Sequence, residues 1–279
     1  MEAAADLAFA GPARPIGIAG GRPLLALARE LAPDWPMAEP GEADVAVARE
    51  AAGWRVTGRR WALPGAVCAS ELEAANALLG GLLVCYAAQD EARAVLHAAA
   101  VEFGGEVLAL VGDNGAGKST LALALAASGR WLWGDDRLIL RRGPSALAAE
   151  STGLAAKARL PLPASAPEFH RAFVEARRLY SWPELAILSL APAERAPFGT
   201  LAPLAGFVFL DRREGAAPTL ASEPAPGVAR RLIAATHAPQ LSAAGLVVAA
   251  AAWAAAPGWR LLYGDAWEAA ALLTARFGR

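Results

Sequence analysis

The sequence is poor in lysine and cysteine. Only two of its 26 lysines and arginines are lysines, Lys118 and Lys157, and its two cysteines are Cys68 and Cys85. Two cysteines are too few for a disulfide framework or a zinc site, and they favour a reducing, cytoplasmic location. Arginine does not replace lysine where a compact, flexible ammonium is needed. Each lysine is therefore a candidate for a functional constraint.

The chain also lacks an excess of charge and a long apolar run. Its formal net charge is −1, which gives no electrostatic reason to expect nucleic-acid or membrane binding. Its first residues lack the basic start and apolar core of a signal peptide. The most apolar run, residues 243–257, is too short for a membrane span, and we interpret it as a buried strand or helix. We therefore expect a cytoplasmic protein that binds neither nucleic acid nor membrane.

Hydrophobic residues make up 56% of the 279 positions, which is enough for one large or two modest α/β domains. We predict a small N-terminal α/β unit with a connecting helix over residues 1–90 and a second domain over 91–279. The patterns of the first predict helices at 24–31 and 69–88 and strands at 43–48, 53–57 and 60–64. In the second, strands at 95–101 and 106–111 form a hairpin, and residues 143–168 resemble a loop.

A glycine-rich segment, Gly112 to Ser119, fits the phosphate-binding pattern G-x-x-x-x-G-K-[ST] at every fixed position. An apolar strand pattern over 106–111 precedes it, and a strong helix pattern over 119–127 follows it. The loop therefore ends at a helix N-terminus, where phosphate is favoured. Lys118 supplies a charge for the outer phosphates and Ser119 a ligand for Mg²⁺. The predicted binding residues are Gly112, Asp113, Asn114, Gly115, Ala116, Gly117, Lys118, Ser119 and Thr120.

An acidic pair, Asp135 and Asp136, ends the next predicted strand, residues 131–133. Because neighbouring strands bring their carboxyl ends together, the pair would emerge next to the bound phosphates. Side chains alternate along a strand, so the two carboxylates point in different directions. One can hold Mg²⁺ while the other accepts a proton from an incoming hydroxyl. The pair predicts phosphoryl transfer to a hydroxyl rather than nucleotide binding alone.

Phosphoryl transfer commonly needs a further cation to neutralise the transferred group. We select Lys157 and Arg159, which would share one face of a strand, and interpret Arg177 and Arg178 as surface charges. His97 is a candidate for tuning or orienting the base, because a neighbouring histidine changes the pKa of a carboxyl group.

Several of these residues together resemble a known family. They are His97, the loop Gly112 to Ser119, the segment Ser128 to Trp133 and the pair Asp135 and Asp136. They resemble the catalytic core of HPr kinase/phosphorylase, and more closely its bacterial HPr-kinase-like relatives, which include kinases of ribosomal-peptide pathways, lasso peptides among them. The resemblance is specific over residues 97–140. It implies a P-loop kinase fold related to phosphoenolpyruvate carboxykinase, with a mixed sheet and flanking helices, and ATP with Mg²⁺ as cofactors.

The resemblance also implies residue roles. Asp135 is then the catalytic base, Ser119 and Asp136 serve Mg²⁺, and His97 lies near the same site. The acceptor is implied to be a serine-type hydroxyl, and self-association is expected. The Glu-x-Arg-Gly-x-Gly signature of the true HPr enzymes is absent from the sequence. The acceptor therefore stays open between a peptide, a small protein and a small molecule.

Two other functions remain open at this stage. A nucleotide-binding regulatory module would use the same phosphate-binding loop without phosphoryl transfer. A transporter-type ATPase would share the segment Asn114 to Leu121, but the sequence has no LSGGQ-like run. The sequence therefore favours an ATP-dependent hydroxyl kinase over both.

Overall fold

The computed structural model describes residues 4–58, 65–143 and 146–278. The strand predicted over 60–64 lies outside these ranges. The chain divides into two compact units, one formed by residues up to 95 together with 237–242 and the other by residues 96–236 and 243–279. The division into domains at residues 1–90 and 91–279 stays a prediction. The described residues form a mixed α/β architecture, as the sequence predicts.

The first unit contains one sheet of five strands in the order β1-β2-β3-β4-β5. Its helix α2 is capped by side chains: Ser70 Oγ accepts from the backbone N–H of Glu73, and Glu73 Oε2 accepts from the backbone N–H of Ala69. Both cysteines, Cys68 and Cys85, are free and buried. The elements are β1 (Leu7–Phe9), β2 (Ile16–Ala19), α1 (Leu25–Leu31), β3 (Ala43–Glu50), β4 (Gly53–Gly58), β5 (Ala66–Cys68), α2 (Glu71–Ala87) and β6 (Arg93–Leu96), the last of which contains the passage to the second unit.

The second unit is built on a larger mixed sheet. Strands follow each other across it in the order β10-β11-β15-β8-β7-β9, and β18 pairs with both β15 and β16. A separate sheet has the order β12-β14-β13. The elements are β7 (Ala98–Phe103), β8 (Glu106–Val111), α3 (Lys118–Ala127), β9 (Leu132–Gly134), β10 (Leu138–Arg142), β11 (Leu147–Glu150), β12 (Ala156–Arg159), α4 (Glu168–Ala176), β13 (Arg178–Ser181), β14 (Leu185–Leu188), β15 (Leu201–Arg212), β16 (Thr219–Ser222), α5 (Ala225–Ala235), β17 (Thr236–His237), α6 (Ala243–Trp253), β18 (Gly258–Tyr263) and α7 (Ala266–Phe277).

The long strand β15 organises this sheet. It pairs antiparallel with β11 through residues 201–203 and parallel with β8 through residues 204–209. The register shifts between Leu204 and Gly206. Gly206 has φ 150°, and a Cβ there would lie 2.3 Å from the carbonyl oxygen of Pro257. Because β8 and β15 run parallel, both carry their carboxyl ends to the same edge of the sheet, where the glycine-rich loop begins.

The core of the second unit explains why α3 is almost wholly apolar. Its residues Leu121 to Ala126 are buried together with side chains of β7, β8, α4 and α7. An amphipathic pattern is therefore not needed, and the helix is fixed by burial on several sides. This packing holds the amino end of α3 in place beneath the loop.

The structure differs from the sequence prediction in three segments. Residues 143–168 are not simply a loop, because they contain β11 and β12. The strand predicted over 95–101 is interrupted at His97, which lies between β6 and β7. Residues 243–253 of the apolar run form the helix α6, but Val247 and Val248 on it are 54% and 67% exposed. Among the described residues no helix is both long and apolar enough to cross a membrane.

Candidate functional site

The glycine-rich loop joins β8 to α3 and is shaped by two left-handed glycines. Gly115 has φ 86° and Gly117 has φ 91°. Residues with a Cβ rarely adopt these angles. Gly117 is the residue before α3, and the first helical hydrogen bond runs from the N–H of Leu121 to its carbonyl oxygen. The remaining N–H groups of the first helical turn are therefore available to an anion.

Lys118 begins α3 and turns its side chain back onto the loop. Its Nζ donates to the carbonyl oxygens of Gly112 at 2.7 Å and Asp113 at 3.1 Å. The side chain is buried, and burial lowers the pKa of Lys118, while Asp136 and Asp135 oppose that shift. The hydrogen bonds of the Lys118 ammonium thus connect the first residues of the loop with the residue that follows it.

Tyr263, the last residue of β18, supports the loop from below. Its hydroxyl donates to the carbonyl oxygen of Ala116 at 2.6 Å. The ring is fully buried, and burial raises the pKa of Tyr263 to about 12. A Cβ added at Gly117 would lie 2.4 Å from the same hydroxyl. The loop therefore rests on a neutral phenol that leaves room only for glycine at position 117.

Asp135 directly follows β9 and is buried, with 2% of its surface exposed. Its Oδ2 accepts the backbone N–H of Lys157 at 2.7 Å, whereas Oδ1 is buried without a hydrogen-bond partner. Burial raises the pKa of the Asp135 carboxyl, and the Ser119 hydroxyl and the Lys157 N–H oppose that shift by favouring the ionised form. Asp135 and Ser119 are thus neighbours, whereas the family resemblance pairs Ser119 with Asp136.

Asp136 lies in the left-handed region, with φ 71°, which is uncommon for a residue with a Cβ. Its Oδ1 lies 3.2 Å from His97 Nδ1, and its Oδ2 lies 3.2 Å from Lys157 Nζ and 3.4 Å from a guanidinium nitrogen of Arg137. Burial acts to raise the pKa of the Asp136 carboxyl, but Lys157, Arg137 and His97 together hold it below its ordinary value. The unusual backbone and the surrounding cations fix this carboxylate in one direction.

His97 lies at the interruption between β6 and β7, where its backbone N–H donates to the carbonyl oxygen of Ala235 at 2.8 Å. Burial and then the charge of Lys118 lower the pKa of His97, although Asp136 acts in the opposite direction. A neutral imidazole therefore lies beside the acidic pair near neutral pH.

Lys157 contacts both aspartates. Its backbone N–H binds Asp135 and its Nζ donates to Asp136 at 3.2 Å. Arg159 is two residues further along β12, on the same face, and lines the same cavity. The structure thus brings together the two cations selected from the sequence and the acidic pair.

These residues surround a cavity of about 240 Å³, which we call the phosphate cavity. Asp135 does not line it but lies directly behind Ser119. Most of the predicted residues do line it, and Leu185 and Arg212 are additions. The lining residues are His97, Asn114, Gly115, Gly117, Lys118, Ser119, Thr120, Asp136, Lys157, Arg159, Leu185 and Arg212.

Two clefts adjoin the phosphate cavity. The His97 cleft, about 390 Å³, is lined by His97, residues 111–114, Phe209, Leu210, Arg231, Ala234 and Ala235. The Glu214 cleft, about 690 Å³, is lined by residues 113–116, residues 210–212, Glu214 and Gly264. The loop therefore has one cleft on the side of His97 and another at the ends of β15 and β18.

Sequence reasoning missed two residues of this site. Arg212 ends β15, the strand beside β8, and the rule that ligands bind at the carboxyl ends of parallel strands would have found it. Tyr263 ends β18 in the same way. His170 and His237 lie outside the phosphate cavity, as do Arg177 and Arg178, whose partners are Glu194 and Glu175.

The oxygen atoms of the site suit a hard cation. Ser119 and Asp135 lie together, and the buried Oδ1 of Asp135 has no hydrogen-bond partner. Among the described residues no group of three or more acidic, histidine or cysteine side chains could hold a metal by itself. Mg²⁺ commonly takes one or two protein ligands and fills its shell with phosphate oxygens and water. The residues therefore fit a nucleotide-bound Mg²⁺ rather than an all-protein metal site.

No protein-family profile matches the chain, and no curated protein matches it. Among solved structures, the chain is similar to the HPr(Ser) kinase/phosphatase from Coxiella burnetii, at 13% sequence identity and a TM-score of 0.32. The match covers 64% of this chain and 91% of that one.

Proposed function

We propose that this chain is an ATP-dependent phosphotransferase that moves a γ-phosphoryl group to a serine-type hydroxyl. One observation carries the proposal: Lys118 and Ser119 of the glycine-rich loop line the same cavity as Asp136 and Lys157. A nucleotide site alone needs only the loop and its helix. The proposal includes the finer fold assignment, a P-loop domain of the HPr kinase/phosphoenolpyruvate carboxykinase type.

The loop binds the phosphates of ATP in this proposal. Backbone N–H groups around Gly115 and Gly117 and the amino end of α3 surround the phosphate chain. Lys118 exchanges its two carbonyl acceptors for phosphate oxygens, which are stronger acceptors because they are charged. Asp113, Asn114 and Thr120 complete the predicted set as loop and helix residues.

Mg²⁺ would be held by the Ser119 hydroxyl and by Asp135, directly or through water, and would neutralise phosphate charge. The family resemblance implies the reverse, with Asp135 as the base and Asp136 as a ligand of Mg²⁺. Our assignment is supported by the burial of Asp135 behind Ser119 and by the position of Asp136 in the lining of the phosphate cavity. A base must reach the proton that it accepts, and geometry is the first criterion.

Asp136 is then the group that meets the acceptor. The hydroxyl oxygen forms a bond to the γ-phosphorus as the bond from that phosphorus to the β–γ bridging oxygen breaks. The hydroxyl proton passes to Asp136, and ADP leaves with the bridging oxygen. Because the carboxylate is ion-paired and its pKa is lowered, its main contribution is orientation, with proton transfer late in the step.

Cations around the cavity stabilise the transferred group. Lys157 Nζ lies 3.2 Å from Asp136 Oδ2, and Arg159 and Arg212 also line the cavity. A positive charge directed at the equatorial oxygens is a common source of rate acceleration in phosphoryl transfer. His97 keeps Asp136 in position through its Nδ1.

The experiment is transfer of labelled γ-phosphate to panels of peptides, small proteins and small-molecule alcohols. Asp136→Asn should lower transfer by roughly 10²–10⁴-fold with Mg·ATP affinity nearly unchanged. Asp135→Asn should instead raise the Mg²⁺ concentration needed for half-maximal activity. Glu175→Gln, an exposed carboxylate away from the cavity, is the matched control.

The outcomes separate the alternatives. The opposite pattern in the two variants would restore Asp135 as the base and Asp136 as the Mg²⁺ ligand. Tight nucleotide binding with no acceptor in any panel would favour a regulatory module without transfer. Phosphate release without an acceptor, in a nucleotide-dependent dimer, would favour a transporter-type ATPase. The identity of the acceptor, self-association and a cytoplasmic location stay predictions.

A further inference from the structure

The two clefts beside the phosphate cavity lie next to different residues of the proposed transfer site. In-line transfer requires the acceptor oxygen and the leaving oxygen to lie on opposite sides of the γ-phosphorus. The acceptor and the nucleoside must therefore approach from different sides. The His97 cleft shares His97 with the phosphate cavity, and His97 Nδ1 lies 3.2 Å from Asp136 Oδ1. The Glu214 cleft shares loop residues and Arg212 with that cavity but neither His97 nor an acidic-pair residue.

The walls of the His97 cleft have two kinds of chemistry. Val111, Phe209 and Leu210 form an apolar wall, and Ala234 leaves space on the side of α5. Arg231 supplies the positive charge, with its guanidinium 5.3 Å from the centroid of the Phe209 ring. The ring holds the flat guanidinium against the wall.

Arg231 has two acidic neighbours, Glu223 and Asp211, but no close ion pair with either among the described contacts. Its Nε is buried without a hydrogen-bond partner and lies 3.9 Å from Glu223 Oε1, at the limit of an ion pair. The pKa of the Asp211 carboxyl is lowered by a hydrogen bond from Arg213 and, less strongly, by charges that include that of Arg231. Asp113 also lines the cleft but is exposed, so solvent screens it more strongly. A carboxylate that enters the cleft could form charge-assisted hydrogen bonds with the guanidinium nitrogens other than the buried Nε.

From these observations we propose that the His97 cleft binds the phosphoryl acceptor, and that Arg231 recognises a carboxylate carried by that acceptor near its hydroxyl group. The Glu214 cleft then receives the nucleoside part of ATP. The cleft volume of about 390 Å³ is in the range of small-ligand sites, which limits the bound portion to a small hydroxy acid or one or two residues of a peptide. This inference rests on the proposed function, because it names the acceptor class of the same site.

Single-cysteine variants test the assignment without requiring turnover. The natural cysteines are buried, so Ala234→Cys and Glu214→Cys each add one accessible thiol, the first in the His97 cleft and the second in the Glu214 cleft. Labelling with iodoacetamide is followed with and without a non-hydrolysable Mg·ATP analogue, whose binding is measured separately by equilibrium dialysis. At ten times its Kd, the analogue should slow labelling at position 214 about tenfold and leave position 234 within about twofold.

The analogue experiment separates failure of this inference from failure of the proposed function. Protection of position 234 instead of 214, of both positions, or of neither while the analogue is bound would overturn the assignment of the clefts. Absence of analogue binding in the dialysis would instead overturn the proposed function.

The role of Arg231 is tested by the charge of the reagent. We compare the rate of labelling by iodoacetate, which is anionic, with the rate by iodoacetamide, which is neutral. This ratio of rates should be about fivefold higher in Ala234→Cys than in the double variant Ala234→Cys/Arg231→Gln. The matched control is Arg230→Gln, which removes an exposed neighbour on α5 and should leave the ratio unchanged. Equal ratios with and without Arg231 would overturn carboxylate recognition.

The source of the carboxylate is distinguished by protection of position 234. Glycerate is the small-molecule probe, and N-acetyl-aspartyl-serinamide is the peptide probe, each at about 10 mM, a concentration that detects millimolar binding. Protection by glycerate alone assigns the cleft to a small hydroxy acid, and protection by the peptide probe assigns it to a peptide. Protection by neither would contradict the proposal.

Discussion

Two turns in the second unit carry the proposed chemistry, and they are held in place by different means. The glycine-rich loop reaches φ > 0 at Gly115 and Gly117, where the residue type permits it without strain. The turn after β9 reaches φ 71° at Asp136, where the residue type opposes it. There the carboxylate forms ion pairs with Arg137 and Lys157. The first turn is therefore encoded locally, and the second depends on partners from distant parts of the chain.

The difference predicts where each turn is sensitive. The loop should respond to a change of its glycines and of the support beneath them. The acidic turn should respond to loss of its partners, and it should gain stability from a residue that relieves its backbone. Strain at a non-glycine position persists only where surrounding contacts enforce it, which is common at functional sites.

The largest effect is expected from Gly117→Ala. The new methyl group would lie 2.4 Å from the Tyr263 hydroxyl, on a backbone with φ 91°. Left-handed strain and overpacking together cost about 3 kcal/mol, which corresponds to a loss of nucleotide affinity of about 100-fold. Equilibrium binding of a fluorescent ATP analogue measures it.

Gly115→Ala is the matched control, because its φ is 86° but nothing lies within 4 Å of the added Cβ. It should show only the backbone part, a loss of about tenfold. Equal losses in the two variants would contradict the role given to Tyr263.

A smaller effect is expected from Tyr263→Phe, which removes the hydrogen bond of 2.6 Å to Ala116. An unsatisfied buried carbonyl costs about 1–3 kcal/mol, and part of this cost should appear as a loss of nucleotide affinity of about tenfold. In steady-state kinetics we expect KM for ATP to rise while kcat changes little. A fall in kcat with unchanged KM would show that the hydroxyl serves the chemical step instead of the loop.

The third prediction compares two variants that both lack the carboxylate at position 136. Asp136→Gly permits the left-handed backbone at no steric cost, whereas Asp136→Ala must either keep the strain or rebuild the turn. The glycine variant should be more stable by about 1 kcal/mol, measured by chemical denaturation. If the alanine variant is equally stable, the turn stores no strain and the contrast between the two turns is wrong.

The smallest effect concerns pH. Burial, and then Lys118, lower the pKa of His97 from its ordinary value of 6.5, so the unfolded chain takes up this proton first as pH falls. The stability that depends on neutral His97 is complete above about pH 6.5 and is lost as pH falls through the pKa of the folded state. His97→Gln should therefore show a smaller loss of stability between pH 7.5 and 5.5 than the natural chain. His237→Gln, an exposed position, is the control, and an unchanged slope in His97→Gln would exclude this contribution.

The sequence predicts the loop better than the acidic turn for the same physical reason. The glycines, Lys118 and the flanking strand and helix are contiguous, so a local pattern is sufficient. The positive φ of Asp136 depends on His97 and Lys157, which are distant in sequence and meet it only in the folded chain. The hydroxyl of Tyr263 lies 147 residues from its acceptor at Ala116. A local sequence pattern cannot relate two residues that lie so far apart in the chain.

Secondary structure shows the same limit. The helix α3 and the strand β8 were predicted because apolar residues and glycines mark their ends. The sequence does not predict β11, and it indicates β12 only through the strand face that Lys157 and Arg159 would share, because short, alanine-rich segments carry little periodicity. Yet β12 places Lys157 and Arg159, so the least patterned segment contributes two residues of the site. The scarcity of lysine indicated Lys157 where the strand pattern was weak.

Both lysines of the chain face one cavity of about 240 Å³. The side-chain amines of the molecule are thus confined to its candidate site. Reductive ¹³C-methylation would give an NMR spectrum whose lysine signals both report on the phosphate-binding region, against a background of the α-amino group alone. Acylating reagents would address the same two positions. Because the chain has so few lysines, their NMR signals would report on the candidate site without overlap from lysines elsewhere in the protein.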